Sequence, residues 1–134
     1  MDAEPVEADA RSNWMTRPPG RTAVAVDANG AVLGTSNMYA NRPNQGSHIA
    51  SGSLMVGPLA RGHGVGRALL QDMIQWATGT DFVAIQFNAV VETNTAAVRL
   101  YLSEGFRIIG SAPGAFRHPD HGPVNLLIMW RDLD

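Results

Sequence analysis

The sequence contains neither cysteine nor lysine among its 134 residues. Without cysteine the chain forms no disulfide, supplies no thiolate ligand to a metal and offers no cysteine nucleophile. Without lysine it cannot form a Walker A loop, because that loop places a lysine after its last glycine to contact the phosphates of a nucleotide. Hydrolysis of nucleoside triphosphates by a P-loop is therefore excluded.

Charged residues and long apolar runs are also scarce. The formal net charge is -2, and the ten basic residues, all arginines, are scattered from Arg11 to Arg131. The apolar runs are too short to span a membrane, and the acidic start MDAEPVEADA lacks the basic and apolar segments of a secretory signal. We therefore expect a cytoplasmic protein that contacts no nucleic acid and no membrane.

The breaker sequence RPPG divides the chain into two parts. Residues 1–20 are predicted to form an acidic tail or one short helix, and residues 21–134 a single domain of moderate core size. Early in the domain, Asn29 and Gly30 separate two β-prone runs, which predicts a hairpin. The alternating run HIASGSLMV predicts a third strand.

The second half of the domain mixes helices and strands. Apolar residues at helical spacing predict a helix from Val65 to Ala77 that ends at Gly79. A buried strand is predicted at DFVAIQFNAVV. It is followed by a helix at ETNTAAVRLYLSEG that is capped by Thr93 or Asn94 and ended by Gly105. The chain then continues with a strand at FRIIGSA, a turn-rich loop at PGAFRHPDHGP and a last antiparallel strand at VNLLIMWRDL. The order β-β-β-α-β-α-β-β indicates an α+β fold, a mixed sheet with helices packed on it.

The run PLARGHGVGRALL places three glycines between the third strand and the first long helix. Such a turn offers backbone N–H groups at the positive end of a helix dipole, which favours a phosphate. A dinucleotide fingerprint would need glycine where Arg67 or Leu69 stands. The pattern that survives is Arg61-x-x-Gly64-x-Gly66. The alternative is a glycine turn that only tightens the junction and binds no ligand.

The stretches SGSLMV, GPLARGHGVGRALL and FNAVVETNTAAVRLYLSEGF resemble the central motifs of the GCN5-related N-acetyltransferases, in which the R-x-x-G-x-G loop binds the pyrophosphate of acetyl-coenzyme A. The stretches RPNQGSH, QFN and PGAFRHP are similar to a bacterial branch that also resembles fungal acetyltransferases of proline-like imino acids. The resemblance implies a central, mostly antiparallel mixed sheet with helices on both faces. About twenty residues stand where that fold begins with a strand and two helices, so we expect these elements to be shortened or absent.

The same resemblance implies acetyl-CoA as co-substrate and no metal. The two flanking arginines would neutralise the pyrophosphate, and a backbone N–H near the end of the third strand would polarise the thioester carbonyl. The expected coenzyme contacts are Met55, Val56, Arg61, Gly62, His63, Gly64, Val65, Gly66, Arg67 and Asn94. Asn94 has a second interpretation as the cap of its helix.

The family pattern places Tyr101 near the coenzyme sulfur as general acid, although its helical spacing also suits a core aromatic residue. Two candidates for the general base are His48, which is otherwise a surface histidine, and Glu92, which is otherwise a helix-dipole partner. A bridged water is the third option. Asn88 is expected to contact the acceptor. The residue types of His118, Asp120 and His121 are those of metal ligands, but the neighbouring proline and glycine favour a simple turn.

These observations predict an N-acetyltransferase that moves the acetyl group of acetyl-CoA directly to a small amine, resembling an amino or imino acid, in a ternary complex. The absence of cysteine is consistent with direct attack. Two alternatives are a non-catalytic acyl-CoA sensor and an acetyltransferase of proteins or peptides. The missing N-terminal elements normally form one wall of the acceptor pocket, so a homodimer is expected if a partner subunit supplies that wall.

Overall fold

The computed structural model describes residues 20–133, so the predicted N-terminal tail lies outside the described residues. Within this part a single six-stranded sheet carries two helices. The strands are β1 (Arg21–Val26), β2 (Val32–Ala40), β3 (Ile49–Val56), β4 (Ala84–Val91), β5 (Arg107–His118) and β6 (Gly122–Asp132), and the helices are α1 (Val65–Gly79) and α2 (Thr95–Ser103). The strand order is β1-β2-β3-β4-β6-β5. The predicted α+β fold and element order are confirmed.

The hairpin between β1 and β2 forms where the Asn-Gly pair predicted it. Gly30 adopts a positive φ of 82°, which glycine reaches without steric cost. The carboxylate of Asp27 accepts hydrogen bonds from the backbone N–H groups of Asn29, at 2.8 Å, and Ala31, at 3.0 Å. One acidic side chain thus closes the turn.

The centre of the sheet is divided, because β3 and β4 pair only at their beginnings. The parallel contact consists of Ile49 opposite Ala84 and Ala50 opposite Ile85. Beyond these pairs β3 remains antiparallel to β2 as far as Val56, whereas β4 pairs with β6. The two strands therefore diverge towards their carboxyl ends and leave a gap in the sheet.

Both described helices lie on the same side of the sheet. Gly66 of α1 lies close to the Leu100 side chain of α2, and buried residues of both helices belong to one core. The largest fully buried apolar side chains of that core are Met38, Leu70, Met73, Ile85 and Met129. The expected helices on the other face do not occur among residues 20–133.

Helix α1 packs closely on the strands because β3 has a glycine beneath it. A Cβ atom at Gly52 would collide with the Asn37 carbonyl and with the terminal methyl group of Met73. A second part of the core is aromatic: the Phe87 ring lies 4.8 Å from both Tyr101 and Phe106, measured between centroids. This aromatic group fixes α2 against β4.

Helix α1 ends at Gly79 as predicted, and the residue at its C-terminal cap is Thr80. One sequence expectation is wrong in its boundaries. The predicted loop PGAFRHPDHGP is mostly strand, because β6 begins early enough to pair with β5 as far as His118. An irregularity before Phe116 accommodates Pro113, which an edge strand tolerates because its missing N–H needs no partner there. Between residues 20 and 133 no helix is long and apolar enough to cross a membrane.

Candidate functional site

A cleft of about 810 Å³ opens where β3 and β4 separate. The lining residues come from the end of β3, the glycine turn, the start of α1, the end of β4, α2 and the end of β5. Ten of the expected site residues line it: Met55, Val56, Arg61, Gly62, Gly64, Val65, Gly66, Arg67, Asn94 and Tyr101. The fold therefore brings residues from distant parts of the sequence to one opening.

The glycine turn presents open backbone to this cleft. Gly62 and Gly64 have positive φ angles of 82° and 77°, and a Cβ atom added to either would meet nothing within 4 Å. No side chain caps α1 at Gly64. Because the first N–H groups of a helix have no acceptor within it, they point outwards at the positive end of the dipole. This geometry fits an anion such as a pyrophosphate.

The two arginines of the turn differ in their surroundings. Arg67 donates from Nη1 to a Glu104 carboxylate oxygen at 3.0 Å and to the Ser103 hydroxyl at 3.1 Å. Arg61 forms no ion pair within residues 20–133. His63 does not line the cleft, and its backbone N–H donates to the Ala60 carbonyl. Arg61 is thus the cation most available to a ligand.

The backbone ladder between β2 and β3 decides which groups face the gap. At one end the Asn41 N–H donates to the Ile49 carbonyl, and at the other the Gly57 N–H donates to the Leu33 carbonyl. In an antiparallel pair the hydrogen-bonded positions alternate along each strand. Every second residue of β3, counted from Ile49, therefore directs its N–H and carbonyl groups to β2.

This alternation distinguishes the two residues expected to polarise a carbonyl. Met55 belongs to the set that pairs with β2, so its N–H is engaged. Leu54 and Val56 belong to the other set, and β4 has diverged at their level. Both residues line the cleft, and the alternation directs their backbone groups away from β2 and into the gap. Val56 and Leu54 thus provide N–H donors at the gap.

Tyr101 combines a buried ring with an edge on the cleft. Its ring is 9% exposed and packs on Phe87 and Phe106, as expected for a core aromatic residue. Desolvation by burial raises the pKa of its hydroxyl above the usual 10.0. The residue also lines the cleft, and its raised pKa keeps the hydroxyl protonated at neutral pH. Asn94 lines the cleft, and its predicted role as helix cap is confirmed, because its side chain accepts the Ala97 N–H at 3.2 Å.

The remaining candidates are not brought to the cleft. His48 precedes β3 at the end opposite the glycine turn, and its carbonyl accepts the Val83 N–H. Asn88 donates to Asn41 Oδ1 at 2.6 Å and accepts from Gln86 at 2.9 Å, outside the cleft lining.

Glu92 lies just beyond β4, between two residues that line the cleft, but is not itself part of the lining. Its carboxylate accepts from Asn125 Nδ2 at 3.4 and 3.5 Å, and its backbone N–H donates to the Asn125 carbonyl. These long side-chain contacts and the backbone hydrogen bond link the exposed Glu92 to β6.

Sequence reasoning missed Phe116 and His118 as lining residues. Both were assigned to a loop, whereas the extension of β5 brings them to the cleft. The signal that was available is their two-residue spacing, which places both side chains on one face of a strand. The Nδ1 atom of His118 accepts the N–H groups of Asp120 and His121, so this segment forms a turn. Nowhere in residues 20–133 do three or more metal-ligating side chains cluster.

Comparison with known proteins finds acetyltransferases, both among family models and among individual relatives. The family model described as acetyltransferase (GNAT) matches residues 2–106. N-acetyltransferase aca1 of Schizosaccharomyces pombe is 30% identical over 103 residues, which are 77% of this chain and 49% of that protein. The chain thus spans about half the length of that relative.

Two solved structures are similar over nearly the whole chain. A GCN5-related N-acetyltransferase from Kribbella flavida is 61% identical with a TM-score of 0.91, over 99% of this chain and 80% of its own. A GNAT superfamily phosphinothricin acetyltransferase from Sinorhizobium meliloti, in complex with AcCoA, is 25% identical with a TM-score of 0.81, over 96% of this chain and 69% of its own.

Proposed function

Because the chain belongs to the GNAT family of acetyltransferases, we propose that it transfers the acetyl group of acetyl-CoA to the amine of a small molecule resembling an amino or imino acid. The observation that carries this proposal is the cleft between β3 and β4, which opens beside an unobstructed glycine turn. The relative from Sinorhizobium meliloti contains AcCoA, which supports the same donor here.

The donor is proposed to bind along the cleft from the glycine turn inwards. The pyrophosphate would accept hydrogen bonds from the N–H groups of Gly62, Gly64 and the first residues of α1, with Arg61 as counter-charge. The pantetheine arm would enter the gap between β3 and β4. A Cβ atom at Gly62 or Gly64 would meet nothing within 4 Å, which supports the turn as a surface that a diphosphate can approach.

The reaction is proposed to be direct transfer. The neutral amine attacks the thioester carbonyl, a C–N bond forms and the C–S bond breaks. The N–H of Val56, or of Leu54 beside it, stabilises the negative charge that develops on the carbonyl oxygen. Tyr101 donates a hydrogen bond to the leaving sulfur, and any proton it gives up is recovered from the water that takes the proton of the amine. Because burial raises the pKa of this hydroxyl above 10.0, the phenol is a weak acid and hydrogen bonding to the sulfur is its main contribution.

The proton lost by the amine is proposed to leave through water. No aspartate or glutamate is among the residues that line the cleft in the described part of the chain. His48 lies at the far end of β3, and Glu92 is exposed beyond the end of β4, outside the cleft lining. A water molecule at the cleft mouth needs no dedicated side chain, so neither His48→Ala nor Glu92→Gln is expected to abolish turnover.

A small acceptor is favoured over a peptide by the size of the cleft. Its volume of about 810 Å³ must hold the arm of the donor as well as the acceptor, which is within the usual range of small-molecule sites. We further propose that the protein acts in the cytoplasm.

The experiment that tests this proposal measures free thiol released from acetyl-CoA with free amino acids, imino acids and short peptides as acceptors. Mass spectrometry identifies the acetylated product in each reaction. We expect the highest kcat/KM with a free amino or imino acid. Preference for peptides would overturn the acceptor class, and binding of acetyl-CoA without turnover of any acceptor would support a sensor.

The proposal includes a homodimer as a second element. Val24 and Val26 of β1 alternate with residues that pack beneath α1, so they lie on the opposite face of the sheet, where they are 54% and 56% exposed. This apolar surface supports a partner subunit as cover. Size-exclusion chromatography with light-scattering detection is expected to give a molar mass twice the chain mass of 14.3 kDa. A monomer at micromolar concentration would contradict it.

A further inference from the structure

The end of β5 contributes a wall of the cleft that the donor does not explain. Phe116 and His118 stand two residues apart in a regular part of the pairing with β6, so they share one face. Both line the cleft. The glycine turn and the start of α1 lie in a different part of the lining and already provide the groups suited to a pyrophosphate. The β5 wall is therefore available to the second substrate.

The imidazole of His118 is held in one orientation. Its Nδ1 atom accepts the backbone N–H of Asp120 at 3.0 Å and that of His121 at 3.3 Å. The Phe116 ring contacts it edge-on at 6.4 Å, and the His121 ring lies 4.6 Å away. A half-buried ring held in this way loses little conformational entropy when it binds a ligand.

These hydrogen bonds also determine which nitrogen carries the proton. An Nδ1 atom that accepts N–H groups holds a lone pair, so the proton of the neutral ring is on Nε2. His118 lines the cleft, and with Nδ1 engaged in the turn the remaining polar group of its ring is Nε2–H, which is a donor. His118 is thus unsuited to accept the proton of the amine and suited to bind an acceptor atom.

The charge of the lining favours an anionic ligand group. Its ionisable side chains include Arg61, Arg67 and His118 but no carboxylate. Arg67 is neutralised by Glu104, and Arg61 stands at the glycine turn. A polyamine or another polycation would find no carboxylate on these walls to pair with. A carboxylate would find a fixed donor in His118.

From this geometry we propose that His118 is a specificity-determining residue, whose Nε2–H donates a hydrogen bond to a carboxylate of the amine that is acetylated. The inference rests on the proposed function and makes it more specific, because it selects acceptors with a carboxylate beside the amine. Phe116 forms the apolar side of the same subsite and packs against the carbon skeleton of the acceptor.

Two variants of His118 separate the loss of its Nε2–H hydrogen-bond donor from the loss of its hydrogen bonds to the turn. In His118→Asn the shorter amide can still accept the turn N–H groups through its oxygen, but it has no group at the position of Nε2. In His118→Gln the side-chain NH2 group reaches that position. The measurement is kcat and KM for an amino acid and for its carboxamide, at saturating acetyl-CoA, with the KM for acetyl-CoA determined separately.

We expect the unsubstituted protein to prefer the carboxylate acceptor over its carboxamide by about 10- to 100-fold in kcat/KM, as one charge-assisted hydrogen bond provides. His118→Asn is expected to remove this preference by raising the KM for the carboxylate, and His118→Gln to restore part of it. The KM for acetyl-CoA should stay the same in all three proteins.

A preference that survives in His118→Asn, or a KM that rises for acetyl-CoA instead, would overturn the inference. Turnover of amines by the unsubstituted protein with no preference for the carboxylate would also overturn it and leave the proposed function intact. If no amine is acetylated at all, the proposed function is overturned, and the inference that rests on it is overturned as well. Equal melting temperatures of the three proteins confirm that the fold is unchanged.

Discussion

The guanidinium of Arg67 and the carboxylate of Glu104 form an ion pair at 3.0 Å that joins the start of α1 to the end of α2. Gln71 donates to the same carboxylate at 2.7 Å. Arg67 was expected to stand beside Arg61 as a second counter-charge for a pyrophosphate. Its side chain is instead largely committed to the contact between the helices.

This pairing predicts unequal roles for the two arginines. Arg67→Ala is expected to lower the free energy of unfolding by about 0.5 kcal/mol, since the pair is partly exposed. It should weaken acetyl-CoA binding less than Arg61→Ala does. Urea denaturation and calorimetric titration of both variants measure the two effects, and a larger loss of affinity in Arg67→Ala would contradict the assignment.

Tyr101 is expected to assist the departure of the coenzyme sulfur. Tyr101→Phe retains the ring that packs on Phe87 and Phe106 but has no proton to donate. We expect kcat to fall by about 100-fold, within the usual range for a general acid, with little change in the KM for acetyl-CoA. Steady-state thiol release measures both constants. An unchanged kcat would leave Tyr101 with a purely structural role.

The burial of the same hydroxyl predicts a dependence of stability on alkaline pH. Desolvation raises the pKa of Tyr101 in the folded state above 10.0, so the folded protein retains the proton that the unfolded chain loses. The contribution of the protonated Tyr101 to the free energy of unfolding is fully present below pH 10. It is lost as the pH rises through the pKa of the folded state. Unfolding free energies from pH 8 to 11 should therefore decline more steeply for the unsubstituted protein than for Tyr101→Phe. Parallel curves would contradict this.

The two ends of α1 provide a matched pair of glycine substitutions. Gly64 has a φ of 77°, so Gly64→Ala should cost about 1–2 kcal/mol of stability and weaken acetyl-CoA binding by disturbing the turn. Gly79, the last residue of the helix, has no positive φ and open space around it, so Gly79→Ala should be neutral or stabilising. Thermal melts with and without acetyl-CoA compare them; equal effects would argue against a special role for the turn.

The features that the sequence predicted correctly depend on short-range chemistry. The Asn29-Gly30 turn, the Asn94 cap and the glycine turn each involve residues within a few positions of one another, so their residue types suffice to identify them. The resemblance to known motifs then indicated the donor. Ten of the expected site residues do line one cleft as a result.

The features that were missed depend on contacts between distant segments. Arg67 and Glu104 are 37 residues apart, and no local pattern indicates that α1 and α2 meet there. His118 reaches the cleft because β6 pairs with β5 as far as this residue. The turn-forming residues around Pro119 had instead predicted a loop. The choice of Val56 over Met55 depends on which side of β3 pairs with β2. Such information appears only with the assembled sheet.

The central claim is that acetyl-CoA binds in the cleft between β3 and β4 with its pyrophosphate at the glycine turn beside Arg61. The most direct test is calorimetric titration of acetyl-CoA into the unsubstituted protein, Arg61→Glu and Arg99→Glu. Arg99 lies exposed on α2 outside the cleft lining, so it controls for the change in net charge. We predict that Arg61→Glu raises the Kd at least about tenfold, equivalent to about 1.4 kcal/mol, while Arg99→Glu leaves it unchanged. Equal affinity in all three proteins, or no binding to the unsubstituted one, would contradict the claim.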